Sequence, residues 1–197
     1  MVRKSIRDGK LLYHFTAIDN IHGIFSEGLK PRNELNNFKN VADASILGGR
    51  RERALDSMVP FHFFVKTPFD YSVVNSNPTI EFVYITVRRS LAEHYNWSIS
   101  TRHPLSRGAS KLLPYQDGMA AIDWDLMDSR DWDSNEWKQV SMAECLSPAT
   151  LPTSDFFKIY VRTDACKSYI DGLAEKFGLT IDVEVNSLMF CAAAQTA

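Results

Sequence analysis

A histidine stands between two aromatic residues near the start of the chain, in the stretch YHFT at residues 13–16. Successive side chains of a β-strand point to opposite faces, so His14 and Thr16 would share one face. A helix pattern follows this strand, and the N-terminus of a helix can bind an anionic group. The pattern fits a ligand-binding strand end, and it equally fits a histidine whose hydrogen bonds are satisfied within the fold.

Arginines cluster in the stretch GGRRERAL, directly after Gly48 and Gly49. Arg50, Arg51 and Arg53 carry planar guanidinium groups, whose donors match the oxygens of a phosphate. The stretch therefore indicates either a phosphate-binding segment or the charged start of a solvated helix.

Glu144 is a lone carboxylate in the apolar and small-residue stretch SMAECL. Burying a carboxylate costs free energy unless the group has a partner or a catalytic role. A glutamate near the end of an element is often simply exposed. Taken together, however, the histidine, the arginines and this carboxylate favour a functional site over three separate structural roles.

Hydrophobic periodicity predicts the elements that position these residues. The strand LLYHFT leads into a helix over residues 18–29, and the polar residues 31–49 indicate a loop with at most one short helix. Further strands are predicted at 59–65, 80–87, 118–123, 156–162 and 181–186, and helices at 89–96, 135–145 and 164–177. Strands interleaved irregularly with short helices and long loops are typical of an α+β fold.

Composition narrows the class of protein. The 197 residues, of which 45% are hydrophobic and 23% charged, are enough for one domain with its own core, so we expect residues 1–197 to form a single domain. No run of eighteen apolar residues and no secretory signal pattern occur, which predicts a cytoplasmic protein without a membrane partner. Cys145, Cys166 and Cys191 lack disulfide-framework or zinc-site spacing, so no metal is expected. The net charge of -2 limits any nucleic-acid contact to local basic clusters.

These segments, read in order, resemble a known family. The series YHFTAIDNIHGIFSEGL, GGRRERAL, VPFHFFVKTPFDYSV, STRHP, IDWDLM and MAECL is similar to the landmarks of the DarT family over residues 12–162. Members of that family are NAD-dependent ADP-ribosyltransferase toxins that modify bases in single-stranded DNA. The resemblance implies an ADP-ribosyltransferase-like fold with central split β-sheets, NAD as a substrate, and a toxin-antitoxin or phage-defence role with a cognate antitoxin.

The resemblance also assigns roles to residues. It implies that His14 and Thr16 bind NAD, that Arg50 serves both NAD and the reaction, and that Glu144 is the catalytic carboxylate. Arg51 is the alternative to Arg50, because an alignment can slip by one residue. The resemblance adds Asn20 to the NAD-binding residues. Tyr71 and Phe69 are aromatic candidates for stacking on nicotinamide, whereas Phe61 and Phe63 are expected in the core.

Recognition of the acceptor strand falls to other residues. Residues 128–137 occupy the place of the family's target-recognition loop, where Trp132 and Trp137 would stack on unpaired bases. His103, in STRHP, matches a histidine-bearing family segment and is expected to contact the acceptor. Basic residues elsewhere would guide the strand. These are Arg88, Arg89, Arg102, Arg107 and Lys111.

One position departs from the family. Met142 stands where the family commonly has a glutamine two residues before the catalytic glutamate, a position that helps to select the acceptor. Another base than thymine, or RNA, is therefore open as the target. An enzyme of the same fold that modifies a protein, and an inactive relative that only binds NAD or nucleic acid, are the other hypotheses, although the intact Glu144 argues against inactivity.

Overall fold

The structure is a computed structural model that describes residues 4–35, 38–40, 44–106 and 111–192. Within these residues there are seven strands: β1 Leu11–Ala17, β2 Val59–His62, β3 Phe82–Arg88, β4 Ser98–Ser100, β5 Glu144–Ser147, β6 Lys158–Val161 and β7 Val183–Val185. The same part of the chain forms eight α-helices: α1 Ile21–Glu27, α2 Ala44–Glu52, α3 Pro68–Ser76, α4 Arg89–His94, α5 Tyr115–Ala121, α6 Trp124–Ser129, α7 Asn135–Ser141 and α8 Asp164–Lys176.

The strands form one sheet in the order β4-β5-β2-β1-β3-β6-β7. Neighbouring strands run antiparallel, except for β6 and β7, which are parallel. This mixed sheet with its short helices confirms the predicted α+β class.

The sheet opens between β1 and β2. These strands share the single residue pair Tyr13 and His62, whereas β1 pairs with β3 along its whole length. Continuing the register would bring Pro60 opposite Phe15, and proline has no N–H to donate to a ladder. The His14 side chain bridges the strands instead, with Nδ1 2.9 Å from the carbonyl oxygen of Pro60. The sheet is therefore split in the way that the resemblance implies.

Apolar side chains cover both faces of the sheet. On β3, Val83 and Ile85 belong to the larger core cluster, while Phe82 and Tyr84 belong to a second cluster that includes Phe15. The rings of Phe15 and Phe82 stack at 4.7 Å. The larger cluster also holds Phe61 and Phe63, the two aromatic residues expected in the core. Burial on both faces leaves little freedom in the strand register.

Several element predictions need correction. The predicted strand at 118–123 is wrong, because residues 115–121 form α5, which packs through Gly118 on Ile99 of β4. The predicted helix at 135–145 ends at Ser141, and β5 begins at Glu144. The region 31–49, predicted as a loop with at most one short helix, contains a short 3-10 helix and the beginning of α2, while residues 36–37 and 41–43 lie outside the described residues.

The predicted first helix is confirmed in shorter form. A 3-10 turn, Ile18–Asn20, precedes α1. Gly28, with a φ of 83°, ends α1. A side chain at Gly28 would meet the carbonyl oxygen of Leu151 at 2.7 Å. A glycine is needed there for both reasons.

Among the described residues, no helix has the length and apolar character needed to cross a lipid bilayer.

Candidate active site

A cavity of about 570 Å³ lies where the sheet splits. Its volume falls within the range of roughly 300–1,000 Å³ that is typical of small-molecule sites. Both halves of the sheet and the segments around it contribute lining residues. Those that bear on function are His14, Thr16, Asn20, Arg32, Arg50, His62, Phe69, His103, Met142 and Glu144.

His14 is a neutral imidazole at this cavity. Burial lowers its pKa to about 4, and nearby His62 and Arg50 push in the same direction, against the hydrogen bond with Pro60. Because a carbonyl oxygen only accepts, Nδ1 carries the hydrogen in the contact with Pro60. Nε2 of the neutral ring is consequently a hydrogen-bond acceptor.

Thr16 and Asn20 join β1 to a loop segment. The Asn20 amide Nδ2 donates to Thr16 Oγ1 at 3.0 Å and to the Lys39 carbonyl at 3.1 Å. Asn20 Oδ1 accepts from the Lys39 backbone N–H at 2.6 Å. Asn20 therefore fixes the wall of the cavity at Lys39.

Arg50 and Glu144 form a buried ion pair. Arg50 Nη1 lies 2.8 Å from both carboxylate oxygens of Glu144, and the side chains are only 12% and 6% exposed. The other terminal nitrogen, Arg50 Nη2, is buried and has no hydrogen-bond partner among the described residues. Arg51, the alternative, is 84% exposed and contacts Asp56. The structure thus favours Arg50 over Arg51 as the site arginine.

The ion pair depends on how α2 approaches the segment around residue 105. A side chain at Gly49 would come within 2.9 Å of Leu105 Cδ1, so only a glycine allows this approach without movement of Leu105. Glu144 is the first residue of β5 and stands opposite His62 on β2 and Ser100 on β4. The glutamate therefore starts from a strand that is paired on both sides.

His103 lines the same cavity from the segment after β4. Its Nδ1 accepts a hydrogen bond from the Leu105 backbone N–H at 3.1 Å, which leaves Nε2 as the protonated nitrogen. Burial lowers the pKa of His103, and the charge of Glu144 opposes that shift. Met142 also lines the cavity, so a thioether occupies the position where the family commonly has an amide.

Tyr71 lies outside the cavity lining, contrary to its predicted role on nicotinamide, whereas Phe69 on the same helix lines it. The Tyr71 ring packs 5.6 Å from the ring of Trp132. Both side chains are exposed, by 44% and 41%. Of these two aromatic residues, Phe69 lines the cavity and Tyr71 belongs to a surface pair.

The prediction that Trp137 stacks on unpaired bases is wrong. Trp137 is fully buried, and its Nε1 donates to the Met127 carbonyl at 3.1 Å. Residues 128–137 are not one loop, because α6 ends at Ser129 and α7 begins at Asn135 with Ser134 as its N-cap. Of the two tryptophans in this segment, Trp132 is the one at the surface.

The basic residues expected to guide a strand are only partly available. Arg89 is buried and donates to four backbone carbonyls, which makes it a structural residue and corrects that prediction. Arg102 is paired with Glu136, and Arg88 lies over the ring of Phe157. Lys111 is exposed, and Arg107 lies outside the described residues.

Arg32 and His62 line the cavity and bear on function, although the sequence did not predict either as a site residue. Arg32 brings a second guanidinium to the cavity, and its pKa is lowered by burial and by the charges of Arg50 and Arg51. His62 stands directly across from Glu144. Its polar side chain in the apolar run PFHFF was the available signal. A cavity lined by the guanidinium groups of Arg32 and Arg50, by three imidazoles and by the Phe69 ring can hold an anionic ligand that carries a flat ring.

No group of three or more His, Cys, Asp or Glu side chains within the described ranges is arranged to hold a metal ion. The three cysteines are free and buried.

Solved structures with the same fold are known. Thermus sp. 2.9 DarT in complex with ADP-ribosylated ssDNA is 19% identical, with a TM-score of 0.82, over 96% of this chain and 100% of that chain. The complex of the same Thermus protein with NAD+ gives 18% identity and a TM-score of 0.77 over 93% and 98% of the two chains. Thermosipho africanus DarTG in complex with ADP-ribose is 21% identical, with a TM-score of 0.75, over 92% of this chain and 51% of that chain.

Sequence comparison gives the family. No curated protein matches the chain significantly. A family profile described as "ssDNA thymidine ADP-ribosyltransferase, DarT" matches residues 13–191. Because this match spans nearly the whole chain, the protein belongs to the DarT family of single-stranded DNA thymidine ADP-ribosyltransferases.

Proposed function

We propose that the cavity is the site where this chain binds NAD and transfers ADP-ribose to a base of single-stranded DNA, thymine being the base that the family description names. The observation that carries the proposal is the Arg50–Glu144 pair, which meets the neutral His14 in one cavity. These are the residue types that an anionic dinucleotide and its glycosidic bond require.

Glu144 is the proposed catalytic residue. Bound NAD supplies a nicotinamide–ribose bond whose cleavage develops positive charge on the sugar. A carboxylate fixed beside that sugar stabilises the charge, and it can hold a ribose hydroxyl or take the proton from the attacking base. Two contacts from Arg50 already orient the carboxylate, so it needs little reorganisation.

Arg50 has a second proposed task, which is to bind NAD. Within the part of the chain that the structure describes, its buried Nη2 lacks a partner, and a buried polar group without a hydrogen bond costs about 1–3 kcal/mol. A phosphate oxygen of NAD would satisfy it with a charge-assisted hydrogen bond. Arg32 adds a second cation to the same cavity.

The β1 side of the cavity is the proposed seat of the nicotinamide half of NAD. His14 offers an acceptor at Nε2, and Thr16 lies beside it on the same strand. Asn20 supports this side by holding Lys39 rather than through a free amide. Phe69 supplies the flat ring surface.

The acceptor strand is proposed to approach past the exposed pair of Tyr71 and Trp132, where an unpaired base can stack. His103 and Met142, which line the cavity together with Glu144, are the proposed contacts of the reacting base. The methionine offers no hydrogen bond of amide strength, so the backbone or His103 must read the base edge.

The test is a transfer assay with NAD labelled in its adenylate half and matched pools of single-stranded DNA and RNA. We expect label on DNA with the native protein and at least about a 100-fold lower rate with Glu144→Gln. Glu175→Gln, which changes an exposed carboxylate on α8, is the matched control and should keep the native rate. Label on RNA alone would assign transcript modification instead, and label on neither strand would reject the proposal.

We further propose that residues 1–197 act as one catalytic domain in the cytoplasm, and that the protein is a toxin held in check by a cognate antitoxin. The support is the family and the likeness to the longer Thermosipho africanus DarTG chain. Survival of cells that express the native chain, compared with Glu144→Gln, measures the toxicity.

A further inference from the structure

His62 lies on β2, between β1, which carries His14, and β5, which carries Glu144. It is the last residue of β2, opposite Tyr13 of β1 and opposite Glu144 of β5. Directly opposed residues of antiparallel strands project from the same face, with Cβ atoms about 5 Å apart. His62 and Glu144 thus leave the sheet side by side at the point where it splits.

The surroundings of His62 leave one of its ring nitrogens available. The side chain is only 7% exposed, yet it lines the cavity. Nδ1 lies 3.3 Å from the Ala143 carbonyl oxygen, which can only accept, so the tautomer that fits this contact carries its hydrogen on Nδ1 and its lone pair on Nε2. Nδ1 is the ring nitrogen for which the described residues provide a partner.

The His62 side chain is only slightly exposed, so its ring has little access to the hydrogen bonds of bulk water. A bound ligand that offers a donor would restore one. The Phe69 ring, 5.9 Å from the His62 ring, lines the same wall. An aromatic surface beside a hydrogen-bond acceptor matches a flat heterocycle that carries an amide on its edge.

We propose that His62 is a further NAD-binding residue, whose Nε2 accepts a hydrogen bond from the carboxamide N–H of the nicotinamide group while Phe69 contacts the ring. The inference rests on the proposed function, because it takes NAD as the ligand of this cavity. It assigns the recognition of nicotinamide to β2, next to the proposed catalytic carboxylate.

Binding measurements test the assignment without any transfer reaction. The probes are NAD and its acetylpyridine analogue, in which a methyl group replaces the carboxamide nitrogen, each titrated calorimetrically in the absence of DNA. The variant is His62→Asn, since the asparagine amide can still donate to the Ala143 carbonyl but provides no acceptor at the place of Nε2. Thermal melting checks that the variant is folded.

We expect the native protein to bind the analogue about tenfold more weakly than NAD, and His62→Asn to bind NAD about tenfold more weakly than the native protein does. His62→Asn should bind the analogue about as strongly as it binds NAD, because the substitution and the analogue remove the same hydrogen bond. If the native protein binds both dinucleotides equally, or if His62→Asn binds the analogue a further tenfold more weakly than NAD, the role of His62 alone is overturned. A native protein that binds neither would overturn the proposed function as well.

Discussion

The Arg50–Glu144 pair joins residues that lie 94 positions apart in the sequence. Both side chains are almost fully buried, so each charge depends on the other for compensation. Removal of one partner of a buried pair typically costs about 3–5 kcal/mol, because the remaining charge is left unpaired in a poorly solvated place. At this scale, catalysis and stability depend on the same contact.

A double-mutant cycle measures that dependence. We expect Arg50→Ala and Glu144→Ala each to lower the free energy of unfolding by about 3 kcal/mol, and the double variant to lose clearly less than the sum. Urea denaturation of the four proteins gives the values. Strictly additive losses would mean that the two side chains do not interact in solution.

The pH dependence of stability reports on His14. Its pKa in the folded protein, about 4, lies below the ordinary value of 6.5, so the unfolded chain takes up a proton that the folded protein refuses. Stability from this group is fully present above pH 6.5 and is lost as the pH falls toward 4. From this shift we estimate a loss of about 2 kcal/mol at pH 4.5.

The matched variant is His14→Asn, whose amide can still donate to the Pro60 carbonyl but does not titrate in this range. We expect the native protein to lose about 2 kcal/mol more than the variant between pH 7 and pH 4.5, measured by urea denaturation at each pH. Parallel curves for the two proteins would show that His14 titrates normally.

At the scale of elements, the site depends on how the β4 edge is supported. Ser100 of β4 pairs with Glu144, and the same strand packs on α5 through Ile99 and Gly118. A side chain at Gly118 would come within 2.4 Å of Ile99 Cβ, a distance that real structures do not allow. The helix can lie this close to β4 because residue 118 has no side chain.

Gly118→Ala is therefore expected to destabilise the protein by about 3 kcal/mol and to weaken transfer activity through β4. Gly172→Ala is the control, since it makes the same change in α8 where nothing lies within 4 Å. It should be neutral or stabilising by up to about 1 kcal/mol, through helix propensity. Melting temperatures compare the two, and equal effects would contradict the packing argument.

Sequence reasoning succeeded where a local pattern decides the outcome and failed where packing does. The strand at His14 and the end of α1 at Gly28 follow from alternation and from a glycine stop. The apolar run at 118–123 predicts a strand, although its small residues allow a helix to pack closely against β4. The helix predicted over 135–145 contains Trp137 and begins after the N-cap Ser134, but it is packing that turns the tryptophan ring into the core.

At the scale of the whole molecule, the net charge of -2 provides little general attraction for a phosphate backbone. Arg89 is buried and donates to backbone carbonyls in the interior, and Arg102 forms an ion pair. Binding of a single strand must then rely more on stacking. The exposed candidates are Tyr71, on the helix that carries Phe69, and Trp132, which packs on Tyr71.

Trp132→Ala should weaken binding of single-stranded DNA by about 5- to 100-fold, the equivalent of one lost base stack, without a change in NAD affinity. Trp132→Phe should retain most of the affinity because it keeps a ring. Tyr169→Ala, at a similarly exposed tyrosine on α8, is the control and should bind normally. Fluorescence anisotropy with a labelled oligonucleotide gives the affinities, and an unaffected Trp132→Ala variant would remove the tryptophan from the DNA path.

The most direct test of the central claim is the mass of a single-stranded DNA oligonucleotide after incubation with NAD and the native protein. Two oligonucleotides are compared, one with a single thymine and one in which that thymine is replaced by cytosine. We predict that the thymine strand gains the mass of one ADP-ribosyl group and that the gain disappears with Glu144→Gln. No gain on either strand, or an equal gain with Glu144→Gln, would contradict the assignment of this cavity as a DNA ADP-ribosyltransferase site.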